Sequence, residues 1–138
     1  MKRYYFLVYK KKDFSKELLK ATEELINNCN KKAIIKYSKF LKKHFNIMKE
    51  VKIEIKQETK GMNGGVYINR DRRIVFYGEP TPLVVLHELR HYIQFNTKLR
   101  KEQIDYEEEA RSWSCSLFYC TNEGKYIKEA LNGDLRYV

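Results

Sequence analysis

Between Phe14 and Cys29 the apolar residues Phe14, Leu18, Leu19, Leu25, Ile26 and Cys29 recur with a period near 3.6. That spacing predicts an amphipathic helix, opened by Asp13 or Ser15 and broken at about Asn28. A second helix is predicted from about Lys31 to Asn46, with Ile34, Tyr37, Leu41 and Phe45 along one face and lysines over most of the rest. The period then drops to two. VKIEIKQE, Val51 to Glu58, alternates apolar and charged residues, the pattern of a half-exposed strand. A turn-rich stretch (Gly61, Asn63, Gly64, Gly65) leads into a short strand, VYIN. NRDRR makes a polar turn and RIVFYG a further strand. Thr81 is a good N-cap and Pro82 a good first helical residue, so a helix is predicted to run from there to about Asn96. After the charged connection TKLRKEQID come a helix from about Asp105 to Thr121 and a last short helix, KYIKEALNG. At the start of the chain, residues 4–10 alternate weakly and read as a strand.

The order of strand, two helices, strand meander and helices predicts an α+β fold. We expect a small twisted, mostly antiparallel sheet packed on the helix of residues 82–96, with additional N-terminal and C-terminal helices. At 138 residues the chain fits one domain. Within it, residues 1–60 form a basic strand–helix–helix–strand part, 61–124 the hairpin and two helices, and 125–138 a terminal helix and tail. No apolar run approaches the roughly 18 residues of a membrane span, and the apolar stretch Tyr4 to Tyr9 is shorter than the ~7–15 residues of a signal-peptide core. Cys29, Cys115 and Cys120 have no metal-ribbon spacing and read as small buried side chains in a reducing compartment. A cytoplasmic protein is therefore expected. The formal charge of +10 lies wholly in residues 1–60, with 17 Lys/Arg against 7 Asp/Glu, while residues 61–138 balance. This admits an acidic partner such as nucleic acid. The lysines are scattered and no aromatic–basic motif accompanies them, so solvated helix faces are the favoured reading.

Two of the three histidines fall in VVLHELRHYIQ, Val84 to Gln94. Residues four apart share one helical face, with Cβ atoms about 5–6 Å apart. His87 and His91 thus project side by side, a separation that suits two imidazoles on one zinc ion. Glu88 lies about 100° further round and can reach a water at the metal. Two histidines packed on an ordinary amphipathic helix would show the same spacing, so context decides. The helix is well capped, its neighbours Val84, Val85, Leu86, Leu89 and Ile93 are apolar, and an acidic run, YEEEARSW, opens the next helix. A catalytic zinc usually takes three protein ligands. The third can come from that run or from His44 upstream.

An HExxH helix followed by a Glu-x-x-Ala pattern on the next helix resembles the gluzincin metallopeptidases, among them the thermolysin relatives, the HtpX-like membrane enzymes, the ImmA/IrrE-like proteases and the minigluzincins. The resemblance covers roughly residues 63–120. It implies Zn²⁺ held by His87, His91 and Glu107, with Glu108 as the next choice. The shared face of Glu107, Ala110, Ser114 and Leu117 agrees with the first. It also implies a hairpin before the active helix whose first strand, here Gly65, Val66 and Tyr67, binds substrate backbone. The chain departs from several of these families at Arg111, where they carry an acidic residue or Asn beside a zinc histidine. Asp105, Glu108, Glu109 or a backbone carbonyl would have to stand in. Minigluzincins are held inactive by their C-terminal segments. Here Asp134 or the terminal carboxylate could do the same, although Tyr126, Ile127, Leu131 and Leu135 read better as residues that close the core.

The expected function is thus a zinc-dependent metalloendopeptidase. Glu88 acts as general base, and later as acid, for water attacking a peptide or protein substrate. The alternative is a basic nucleic-acid-binding or regulatory interaction protein with a non-catalytic zinc site.

Overall fold

The computed structural model describes residues 7–57 and 64–131. Five helices and three strands follow in the order α1 (Lys16–Asn27), α2 (Lys31–His44), β1 (Lys52–Lys56), β2 (Gly65–Ile68), β3 (Arg73–Tyr77), α3 (Pro82–Phe95), α4 (Tyr106–Thr121) and α5 (Glu123–Leu131). The α+β class expected from the sequence is what the chain forms.

Local chemistry explains the helix boundaries. The Ser15 hydroxyl accepts from Leu18 N–H at 3.0 Å and opens α1, so Ser15, not Asp13, is its cap. Asn30 does the same for α2, accepting from Ala33 N–H at 2.8 Å. α2 ends two residues before the pattern predicts because Asn46 adopts a left-handed conformation (φ 54°), and Ile47 N–H turns back to the Lys42 carbonyl at 2.8 Å. Thr81 caps α3 with Pro82 in its first turn. Asp105 caps α4, whose first turn carries Glu107, Glu108 and Glu109 against the positive end of the helix dipole. Ile34, Tyr37 and Leu41 bury one face of α2 against α1, where Thr22 Oγ1 and Tyr37 Oη meet at 2.8 Å. The opposite face leaves Lys31, Lys32, Lys36, Lys39 and Lys43 exposed, as a solvated helix face requires.

The sheet is mixed, and here the expectation of mostly antiparallel pairing is corrected. Its order is β1-β3-β2. β2 pairs with β3 antiparallel, and β1 pairs with β3 parallel. Burial gives the reason. Ile74, Val75 and Phe76 are all buried, so β3 needs cover on both faces and takes the centre. The alternating β1 and the short β2 are left as edges. The predicted strand at residues 4–10 is also corrected as far as it is described. Leu7 to Lys10 form no strand, and Tyr9 gives its backbone N–H to the Ser116 hydroxyl on α4 at 3.1 Å. Residues 4–6 lie outside the described part.

α3 is buried from Leu83 to Gln94 without interruption. A helix buried on every side belongs in the centre of a domain, and α2, β2 and α4 all pack on α3. The polar side chains His87, Glu88, Arg90, His91 and Gln94 are carried inside with it. At the C-terminal end, Tyr126 is fully buried against Phe118 and Tyr119, as expected of a core-closing residue. The Leu131 side chain and residues 132–138, with Leu135 and Asp134, lie outside the described part. No described helix is long and apolar enough to cross a membrane.

Candidate metal centre

On α3, His87 and His91 stand one turn apart with rings edge to face at 4.8 Å between centroids, and their Nε2 atoms approach to 3.2 Å. The Glu107 carboxylate on α4 completes the group. Its Oε1 lies 2.6 Å from His91 Nε2 and its Oε2 lies 3.4 Å from His87 Nε2. One donor atom from each of the three residues falls within a 4.8 Å span, so the group could hold a metal ion. The two imidazoles are buried, while the Glu107 side chain is 55% exposed, so the group opens to solvent on the α4 side. Glu108 is exposed on the same turn, and it is Glu107 that meets the histidines. His44 stays on α2, stacked on Phe40 with Ser15 Oγ 3.5 Å away.

The donor chemistry fits a cation. Two nitrogens that face each other at hydrogen-bond distance cannot both carry a proton without repulsion, and a carboxylate accepts only. A cation among them satisfies all three lone pairs. The electrostatics of the isolated groups point the same way. Hydrogen bonds from His87 and then His91 hold the Glu107 carboxyl far below its usual range. Burial depresses His87. For His91 burial pulls in the same direction, but hydrogen bonds to Glu107 and Gln94 outweigh it and raise the pKa.

Glu88 projects to a different side of α3 and is 6% exposed. Burial pushes its carboxyl up to about 7, offset in part by the charge of His91 and by the backbone N–H of Tyr67. The approach of β2 to Glu88 depends on Gly65. A Cβ there would stand 2.9 Å from the Phe76 ring and 3.3 Å from Glu88 Cγ. Gly65→Val should therefore destabilise the fold by about 1–3 kcal/mol, the usual cost of overpacking, readable as a lower denaturant midpoint.

The β2 edge has a definite polarity. Tyr77 N–H donates to the Gly64 carbonyl at 2.9 Å. Opposed pairs of an antiparallel ladder alternate between exchanging and not exchanging hydrogen bonds. In the observed register, Gly64, Val66 and Ile68 spend their backbone groups on β3, while Gly65 and Tyr67 turn theirs outward. Of the three residues expected to bind an extended chain, two offer backbone groups. Val66 instead shows its side chain, 37% exposed.

Gln94 is the residue at the centre that carried no clear sequence signal, whereas Glu109 and Arg111 stood out already in the sequence. Gln94 Oε1 accepts a 2.7 Å hydrogen bond from His91 Nδ1. Glu109 pairs bidentately with Arg90 at 2.8 and 2.9 Å, and Arg90 lies over the Trp113 ring at 4.8 Å. Arg111, where resembling families carry an acidic residue or Asn, stands 3.8 Å from Glu107. Polar residues at i+3 on a buried helix were the available hint for Gln94.

No protein-family model matches the chain, and neither the curated proteins nor the solved structures give a match.

Proposed function

We propose that this protein is a zinc-dependent metallopeptidase of gluzincin type. His87, His91 and Glu107 are the metal ligands and Glu88 is the general base. The observation that carries this reading is the convergence of two imidazole Nε2 atoms and one carboxylate at an open position, beside a second, buried carboxylate on the same helix. Two neutral imidazoles and one carboxylate are a donor set that zinc favours. A zinc ion bound there supplies Lewis acidity, lowering the pKa of water to about 7 and polarising a carbonyl oxygen.

The chain's own residues account for the remaining work. Glu88 takes a proton from the attacking water and delivers it to the leaving nitrogen. The outward N–H and C=O groups of Gly65, and the outward C=O of Tyr67, whose N–H faces Glu88, can pair with an extended peptide as one more strand. That lays a scissile bond along β2, beside the part of α3 that carries Glu88. The Arg111 guanidinium, 3.8 Å from Glu107, brings positive charge to the rim where an oxyanion would develop.

The reading is tested by incubating the purified protein with a mixed peptide library and following cleavage by mass spectrometry. Cleavage is expected, stopped by a chelator and restored by added zinc. A protein that holds zinc and cleaves nothing in the library loses the peptidase assignment and keeps the metal centre.

A further inference from the structure

The orientation of His91 is set by a chain of side chains that begins at Glu109 on α4. Glu109, 15% exposed, accepts from Arg90 Nε at 2.8 Å, Arg90 Nη2 at 2.9 Å, Gln94 Nε2 at 2.8 Å and the Tyr9 hydroxyl. Those four donors occupy both of its oxygens. The Gln94 Nε2 also donates to the Tyr106 carbonyl at 2.9 Å. A carboxylate and a carbonyl only accept, so the amide nitrogen of Gln94 must face them. Its oxygen must then face His91, 2.7 Å from Nδ1. An amide oxygen accepts only, so Nδ1 carries a proton, and Nε2, on the side where His87 and Glu107 converge, is the nitrogen left to give its lone pair to a metal. His87 has no such partner: its buried Nδ1 meets no hydrogen-bonding group among the described residues.

We propose that Gln94, locked by the Arg90–Glu109 ion pair, is the positioning residue of the metal centre. It stands three residues beyond His91 on the same helix and fixes the tautomer and ring orientation in which that histidine can bind a metal. It does from α3 what the acidic residue or Asn after the third ligand does in resembling families, where this chain has Arg111. This inference rests on the metal-centre part of the proposed function and does not depend on peptide hydrolysis.

The test compares zinc affinity, by competition with a chromophoric chelator, in wild type, Gln94→Met and Gln94→Glu. It also follows the His91 Nδ1–H proton by NMR in the zinc-loaded proteins. Removing an outer partner of a zinc histidine typically costs about 10–100-fold in metal affinity. Gln94→Met should lose that factor, and its Nδ1–H should exchange freely with solvent. Gln94→Glu keeps an acceptor oxygen for Nδ1 but sets its other oxygen against Glu109 and the Tyr106 carbonyl, so it should recover only part of that loss, with the proton still protected. A mere packing role would lower the melting temperature of both variants and leave zinc affinity alone. Equal affinity of wild type and Gln94→Met overturns the proposal, as does a Gln94→Glu variant as weak as Gln94→Met. If Gln94→Met does not fold, the wild-type proton decides: slow exchange supports the role and free exchange refutes it. A wild type that takes up no zinc refutes the metal centre itself, and this role with it.

Discussion

Alanine at His87, His91 or Glu107 is expected to strip the protein of its metal. Wild type should purify with, or take up, about one zinc per chain. Each single variant should hold less than about a tenth of that at the same free zinc, because a three-ligand centre reduced to two loses most of its affinity. The geometry predicts that all three fail alike, since each donates one atom to the same 4.8 Å span. His44→Ala and Glu108→Ala are the controls. His44 lies on α2 against Phe40, and Glu108 is an exposed neighbour, so both variants should stay loaded. Zinc also links to stability. At free zinc about a hundred times the dissociation constant the folded state gains about 2.7 kcal/mol. For a chain of this size a chelator should then lower the melting temperature by roughly 10 °C. Zinc content is read by elemental analysis and stability by thermal melting with and without chelator. Full zinc in any of the three variants would remove that residue from the ligand set.

Glu88→Gln separates chemistry from metal binding. The amide keeps the shape of the side chain and cannot take a proton. Zinc content should remain near one per chain while peptide cleavage falls by about 10²–10⁴-fold, the usual contribution of a general base. The variant should melt no lower than wild type. Glu88 is 6% exposed and burial raises its carboxyl pKa to about 7, so the folded protein bears a cost for its charge that a neutral amide does not. Zinc-loaded Glu88→Gln that cleaves at the wild-type rate would show that the base is another group.

The grouping of His87 with His91 was legible because helix geometry is local: four residues of spacing place two side chains on one face whatever the rest of the fold does. Glu107 was legible at one remove, through a second helix whose cap and face could also be read. What lay beyond those windows could not be. The orientation of Gln94 follows from the Tyr106 carbonyl and Glu109 on another element, and no periodicity in α3 announces it. Tyr9 was read as strand because it sits in an alternating run, but its partners are Ser116 and Glu109, 107 and 100 residues away. The sheet was misread for a related reason. Alternation identifies strands but says nothing about neighbours, and the order β1-β3-β2 depends on which strand needs cover on both faces. The continuous apolar run IVFY was the one usable sign that β3 belongs in the middle.

The two outer strands of the sheet meet the hazard of open edges differently. β1 carries Lys52 and Lys56, both exposed, with Glu54 between them, and charge along an outer strand discourages a foreign chain from adding to it. β2, Gly65–Ile68, has no charge at all, and among the described residues no further strand lies on its outer side. An uncharged open edge is a template for aggregation between copies of the chain. β2 limits that hazard by being four residues long, with the exposed Arg70 and Asp71 just past its end. Only Gly65 and Tyr67 point backbone groups outward. At about 0.5–1.5 kcal/mol net per hydrogen bond, so few cannot hold an unrelated strand on their own. A chain that pairs there needs further contacts, so the short edge guards against self-assembly and filters what can stay bound.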